Sequence, residues 1–187
     1  MLTIEFSDSR SVSGWEAAPM GKYIAKAFVS NPNTRITIAS RNPKIDDLRK
    51  LGNQIFPPVS ISISSDRSSS SDQLSEICKD ANLVINLPGI MHETPSENIT
   101  FENVQHQGAR NVAKAAHQNN ARLIHISAIG ADPNSDIPYA KTKGLGEIAV
   151  REECPDAIIF RPSIIFGPED NFFNVRRGRS KMISKEP

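Results

Sequence analysis

The residues best suited to chemistry are Ser127, Tyr139 and Lys143, in the second half of the chain. Tyr139 and Lys143 are four residues apart, so on a helix they share one face. The pKa of a phenol is ordinarily about 10, and a nearby ammonium lowers it. The spacing therefore predicts proton transfer by Tyr139 while Ser127 hydrogen-bonds a substrate oxygen and a nicotinamide transfers hydride. An exposed helix that carries this spacing by chance is the alternative.

Short apolar strands alternate with helical periods across residues 21–161. This alternation is typical of βαβ units that build a parallel sheet. We therefore predict an α/β chain with a Rossmann-like doubly wound parallel sheet, whose ligands lie at the carboxyl ends of the strands. The predicted strands are residues 35–40, 59–63, 82–87, 122–127 and 157–160, and the predicted helices are residues 22–30, 45–51, 72–80, 101–119 and 139–153, with a serine-rich loop at 64–71 and an N-cap at Ser71 or Asp72.

The glycine-rich turn that a dinucleotide site needs after its first strand is incomplete. Gly21 stands where the last glycine is expected, but Trp15 and Ala18 occupy the other two positions. Glycine matters there because it lets the backbone approach a pyrophosphate at a helix N-terminus. The only strand-like run upstream is Leu2 to Phe6, and 14 residues separate it from Gly21, more than the motif allows. The sequence thus predicts a nucleotide site with a defect at this turn.

Other strand ends carry the residues predicted to hold the nucleotide. Arg41 follows the second predicted strand, where a cation suits a 2′-phosphate, so NADP(H) is favoured and NAD(H) stays possible. A solvated loop arginine is the alternative. Asp66 is placed for an adenine contact, and the stretch from Asn86 to Gly89 for the pyrophosphate and nicotinamide ribose. His125, within an apolar strand, is predicted to be a satisfied core residue.

Composition argues against several other classes. With 38% apolar and 23% charged residues, the 187-residue chain matches an ordinary globular domain, and no apolar run is long enough to span a bilayer. Cys78 and Cys154 have no companions at metal-ligand spacing and are predicted to be buried thiols, so no metal is expected. Residues 1–174, which precede the basic C-terminal segment, lack the basic stripe of a nucleic-acid surface. The first 20 residues show neither a secretory signal nor a transit signature.

The chain resembles the atypical short-chain dehydrogenase/reductase families, and among them the NAD(P)H-binding accessory subunits of mitochondrial respiratory complex I and their bacterial relatives. The resemblance covers roughly residues 20–174. It is carried by Leu83 to Gly89, His125 to Gly130, Tyr139 to Glu147 and, most specifically, Pro155 to Asn174.

This resemblance implies an NADP(H)-binding accessory or assembly protein linked to complex I or to quinone metabolism, with little or no turnover. It implies a mitochondrial location on the matrix side of the inner membrane. It also implies that complex I subunits are partners. Carried over by position, the residues around the nucleotide would be Gly21, Arg41, Asp66, Asn86, Gly89, Tyr139, Lys143 and Arg161 with Pro162.

The chain departs from the family pattern before Gly21 and after Asn174, which predicts a domain truncated at both ends. The expected divisions are an atypical N-terminus at 1–20, an incomplete NAD(P)-binding domain at 21–174 and a basic, disordered tail at 175–187. Leu2 to Phe6 is a candidate for the central strand. Two alternatives stay open: an extended short-chain oxidoreductase or epimerase that uses Ser127, Tyr139 and Lys143, and a truncated interaction module without a cofactor.

Overall fold

The computed structural model describes residues 2–6, 19–29, 31, 33–40, 59–60, 67–87 and 89–167. Within them the strands are β1 (Leu2–Phe6), β2 (Ile36–Ser40), β3 (Val59–Ser60), β4 (Leu83–Leu87), β5 (Arg122–Ile126) and β6 (Ile158–Phe160). The α-helices are α1 (Pro19–Val29), α2 (Arg67–Cys78), α3 (Gly108–Gln118) and α4 (Pro138–Glu153). A 3₁₀ turn spans Pro95–Glu97, and π-helical turns span Glu102–Gln107.

All six strands are parallel and lie in the order β3-β2-β1-β4-β5-β6. This is the strand order of a Rossmann sheet, and the predicted fold class is confirmed. The central place belongs to β1, in which Ile4 lies between Ile38 of β2 and Ile85 of β4. The backbone groups of β2 and β4 therefore find their partners on the N-terminal segment. The boundaries predicted at residues 20 and 174 stay predictions.

The sheet carries apolar side chains on both faces. Ile38 and Ile85 pack with Ala25 of α1 on one face. Val84 and Leu123 point to the opposite face, since successive strand residues alternate, and join a larger core with α2, α3 and α4. Burying each of these aliphatic side chains contributes about 1.5–3 kcal/mol. Helices thus cover both faces, as a doubly wound sheet requires.

Helix α2 begins earlier than the sequence predicts. It starts at Arg67, so the predicted loop is wrong over 67–71 and the predicted N-cap at Ser71 or Asp72 lies inside the helix. Serine costs only a fraction of a kcal/mol relative to alanine within a helix, so a serine run does not prevent extension by one turn or more. The predicted helix at 45–51 and the predicted tail at 175–187 lie outside the described residues.

The predicted helix at 101–119 is not uniform, because it opens with π-helical turns. Asn103 stabilises these wider turns by donating from its Nδ2 to the carbonyl oxygen and side-chain oxygen of Asn98, at 3.0 and 2.9 Å. Gln105, fully buried, donates to the Ile90 carbonyl at 3.1 Å and accepts from the Thr142 hydroxyl at 3.0 Å. The π-helical turns therefore link the segment after β4 to helix α4.

Candidate functional site

The carboxyl ends of β4, β5 and β6 meet at one edge of the sheet. Beyond β5, the Ser127 amide donates to the Phe160 carbonyl at 2.7 Å, and the Ile129 amide donates to the Pro162 carbonyl at 3.0 Å. The segments that follow the two strands therefore stay paired past the end of the sheet. This places Ser127 and Pro162 at the edge where the sequence predicts the ligand.

Asn86 and His125 form a buried pair on neighbouring strands. They are partners in the β4–β5 register, both are fully buried, and the Asn86 amide nitrogen lies 3.1 Å from His125 Nδ1. Because the amide nitrogen donates, Nδ1 accepts, and the neutral ring carries its proton on Nε2. His125 is therefore only half satisfied, which corrects the prediction of a satisfied core residue. Buried atoms without a hydrogen bond among the described residues include Asn86 Oδ1, His125 Nε2 and Ser127 Oγ.

Lys143 extends from α4 into the sheet edge. Its side chain is 3% exposed, and its Nζ donates to the Ile126 carbonyl at 3.2 Å. A Cβ placed on Gly89 would lie 3.9 Å from the same nitrogen, so the Gly89 backbone is a close neighbour of the ammonium. Burial lowers the pKa of Lys143 to about 8, and the nearby Glu147 carboxylate opposes that shift. A buried amine of this kind is a group that titrates near working pH.

Tyr139 does not follow the prediction made for it. Burial raises the pKa of its phenol, so the expected lowering by Lys143 is not observed. The ring packs edge-to-face against Phe101, with centroids 5.9 Å apart and an 86° angle between planes. The ammonium of Lys143 instead points to the Ile126 carbonyl. Tyr139 is consequently a protonated phenol held by apolar packing.

Glu147 is a functional candidate that the sequence analysis passed over. Its side chain is 12% exposed and accepts from Arg161 through both carboxylate oxygens, at 2.8 Å from Nε and 2.5 Å from Nη2. Burial raises the pKa of Glu147, but the hydrogen bonds and charge of Arg161, together with Ser127 and His125, hold the pKa below its ordinary value. The Ser127 hydroxyl also favours the carboxylate, although no hydrogen bond of standard geometry joins them. A glutamate one helical turn after Lys143 was the available signal.

The predicted site residues divide into three groups. Those brought to the edge of β4 and β5, or to α4 beside it, are Asn86, Gly89, Ser127, Tyr139, Lys143 and Pro162. Gly21 is buried in the first turn of α1 rather than in a preceding loop. Arg41 and Asp66 lie outside the described residues. Their predicted roles stay predictions.

This arrangement can bind hydroxyl and phosphate groups and can hold a proton. Lys143 supplies charge-assisted donors, the Gly89 backbone leaves room for close approach, and Ser127 supplies a hydroxyl. Asn86 Oδ1 and Ser127 Oγ are buried without a hydrogen-bond partner within the described part of the chain, so part of the polar capacity at this edge is unused. These features fit the nicotinamide-ribose side of a dinucleotide. Among the described residues, no cluster of histidine, cysteine or carboxylate side chains could hold a metal ion.

The pH dependence of stability tests the burial of His125. Burial, assisted by the charge of Lys143, lowers the pKa of His125 from 6.5 to about 4. The unfolded chain therefore binds more protons between pH 6.5 and 4, and the free energy of unfolding falls as the pH drops through that window. From pH 7 to pH 5 this loss amounts to about 2 kcal/mol.

We expect His125→Gln to remove this part of the pH dependence in urea unfolding measured at pH 7 and pH 5. His117→Gln, at an exposed histidine near the end of α3, is the matched control and should keep the full dependence. If acidification lowers the free energy of unfolding equally in the wild type and in His125→Gln, the lowered pKa of His125 is contradicted.

The strand order and the position of the candidate site at the carboxyl edge define a Rossmann-like fold. The structure of UDP-glucuronic acid 4-epimerase from Bacillus cereus, in complex with NAD, matches with a TM-score of 0.68 at 17% identity, covering 100% of this chain and 64% of that one. Triphenylmethane reductase of Citrobacter sp., complexed with NADP(H), matches with a TM-score of 0.57 at 14% identity, covering 96% and 55%. These likenesses establish the fold.

Sequence comparison gives relatives of higher identity than these solved structures. The chain is similar to the mitochondrial 40 kDa subunit of NADH-ubiquinone oxidoreductase from Neurospora crassa, at 36% identity over 102 residues. It is also similar to the mitochondrial NADH dehydrogenase [ubiquinone] 1 alpha subcomplex subunit 9 of Rattus norvegicus, at 39% identity over 104 residues, and to ceramide reductase of Caulobacter vibrioides, at 38% over 97 residues.

These matches confirm the resemblance to complex I accessory subunits and reductases, and they are partial. They cover 54%, 55% and 52% of this chain but only 27%, 27% and 30% of the three relatives. No protein-family model matches the chain.

Proposed function

We propose that this chain is an NADP(H)-binding accessory or assembly protein linked to respiratory complex I or to quinone metabolism in mitochondria. The observation that carries the nucleotide half is the position of Lys143, a buried ammonium beside Gly89 and Ile126 at the carboxyl edge of a Rossmann-like sheet. The complex I half is supported by the similarity to the Neurospora and rat subunits. Among the described helices, none is long and apolar enough to cross a membrane.

In this proposal the residues of the chain bind and orient the nucleotide. Lys143 would donate to the hydroxyls of the nicotinamide ribose, and the Gly89 backbone would hold the adjoining phosphates. Ser127 and Asn86 add to the same edge buried oxygens that have no hydrogen-bond partner in the part of the chain that the structure describes. When bound, the nicotinamide supplies hydride chemistry, but binding itself needs only the charge, the donors and the close backbone.

Structural rather than catalytic use of the nucleotide is supported by Tyr139. A general acid or base works best with a pKa near the operating pH, and burial moves the phenol further from that range. Its edge-to-face packing on Phe101 gives the ring a role in holding α4 against the π-helical turns. The resemblance to ceramide reductase keeps an oxidoreductase as the second candidate, because Ser127, Tyr139 and Lys143 are all present.

Tyr139→Phe separates the two candidates. We expect it to leave NADPH affinity nearly unchanged, since the phenol hydroxyl adds little to a nucleotide already held by Lys143. We also expect no NADPH-dependent reduction of quinones or small carbonyls by the purified chain above background, followed as loss of absorbance of NADPH. Steady NADPH oxidation that Tyr139→Phe abolishes would establish the oxidoreductase instead.

Nucleotide choice tests the predicted role of Arg41. We expect the chain to bind NADPH about tenfold more tightly than NADH, because a charge-assisted contact to the 2′-phosphate contributes on the order of 1.5 kcal/mol. Arg41→Asp should erase or reverse the difference, while Arg35→Asp, at an exposed arginine just before β2, serves as the control. Equal affinities for the two nucleotides in calorimetric titration would remove Arg41 from the site.

A further inference from the structure

A row of charged side chains continues from Lys143 at the sheet edge toward the surface. Glu147 follows it by one turn on α4, so the two side chains share a helix face, and both residues are buried. Arg161, after β6, is half exposed and binds Glu147 with both arms of its guanidinium. An ammonium, a carboxylate and a guanidinium therefore run in sequence from the buried edge to the surface.

Titratable and polar side chains from several described elements surround Lys143. Helix α4 supplies Tyr139 and Glu147, and β5 supplies the buried His125, which interacts electrostatically with both Lys143 and Glu147. On β4, the buried Asn86 that pairs with His125 is uncharged. The Glu147 carboxylate is the negative charge that acts on the ammonium, and it opposes the effect of burial.

We propose that Glu147 is a positioning residue that keeps Lys143 charged for nucleotide binding, and that Arg161 limits how strongly it does so. This rests on the proposed function, because the charge on Lys143 matters most where a ribose or phosphate must be held. Arg161 holds the Glu147 carboxylate in place, and its positive charge offsets part of the negative charge that acts on Lys143. Removing the carboxylate and removing the guanidinium therefore affect Lys143 in opposite directions.

The free protein gives a test that does not depend on nucleotide binding. Lysine side chains labelled with ¹³C at Cε are titrated by NMR, and the Lys143 signal is assigned from its loss in Lys143→Arg. We expect Glu147→Gln to lower the Lys143 midpoint by on the order of one pH unit. Arg161→Gln should raise it.

A double variant protects the test from misfolding. Glu147→Gln with Arg161→Gln removes both members of the ion pair, so neither is left without the other, and we expect the Lys143 midpoint of the double variant to lie below that of the wild type. A merely structural role for the ion pair predicts equal effects of the two single variants and no shift in the double one. An unchanged midpoint in Glu147→Gln, or downward shifts in both single variants, would overturn the proposal.

Nucleotide affinity provides the second measurement. If only the charged amine binds, a one-unit shift makes Glu147→Gln about fivefold weaker for NADPH at pH 8 and nearly equal to the wild type at pH 6. A uniform loss at both pH values would indicate structural damage and contradict the proposal. Should the midpoints move as expected while the wild type binds no NADPH, the proposed function fails and the influence of Glu147 on Lys143 stands.

Discussion

Lys143→Met is expected to stabilise the folded chain and to weaken NADPH binding about a hundredfold, because a charge-assisted hydrogen bond contributes up to roughly 3 kcal/mol. Burial lowers the pKa of Lys143 from 10.5 to about 8, so holding the charge inside the fold costs free energy. The full shift corresponds to about 3 kcal/mol, and loss of the bond to the Ile126 carbonyl reduces the gain, leaving roughly 1–3 kcal/mol. The affinity falls because methionine offers no donors to the ribose.

The gain in stability should depend on pH in a defined direction. In the wild type the unfolded chain holds the Lys143 proton more tightly, so wild-type stability rises between pH 8 and 10.5. The advantage of Lys143→Met is therefore complete at pH 7 and shrinks above pH 8. Urea unfolding at pH 7 and pH 9.5 measures both values.

Lys141→Met is the matched control, since Lys141 is an exposed lysine two residues earlier on α4. It should change neither stability nor NADPH affinity appreciably. If Lys143→Met is less stable than the wild type at pH 7, the ammonium stabilises the fold and is not held there for a ligand.

Gly144→Ala and Gly146→Ala have the largest expected effects on stability among substitutions at the described glycines. A Cβ on Gly146 would overlap the Gln105 carbonyl oxygen, and one on Gly144 would lie 2.6 Å from the carbonyl carbon of Asp132. Both obstacles are backbone atoms that cannot rotate away. We expect each substitution to destabilise the chain by roughly 2–3 kcal/mol, although alanine would otherwise favour the helix.

Gly130→Ala is the control for these two substitutions, because nothing lies within 4 Å of a Cβ at that position. Its free energy of unfolding should match or slightly exceed that of the wild type. A neutral Gly146→Ala would show that α4 does not pack closely on the π-helical turns, and the placement of Lys143 would lose its support.

The order of the elements could be predicted from the sequence because each strand is short, apolar and separated by helical periods. Even Leu2–Phe6 could be proposed for the central strand, since it is the only strand-like run before α1. The start of α2 could not, because serine disfavours a helix interior only weakly and is also common in N-caps and turns. The π-helical turns depend on Gln105 reaching the Ile90 carbonyl, a contact between distant segments.

The placement of the candidate site residues could be predicted where it follows from position in a sheet, and less so where it depends on side-chain environment. Strand ends placed Asn86 and Ser127 correctly at one edge. The pKa of Tyr139 was predicted wrongly, because spacing shows that Lys143 shares its face but not that burial dominates. Arg161, the ion-pair partner of Glu147, follows β6, and no local sequence pattern predicts that the two residues pair. The two glycines inside α4 were an available sign of close packing.

Calorimetric titration of NADPH into the purified chain, alongside Lys143→Met, tests the central claim most directly. We expect saturable binding with one nucleotide per chain in the wild type and about a hundredfold weaker binding in the variant, which remains folded. Absence of binding in the wild type, or equal affinities in the two proteins, would contradict that claim.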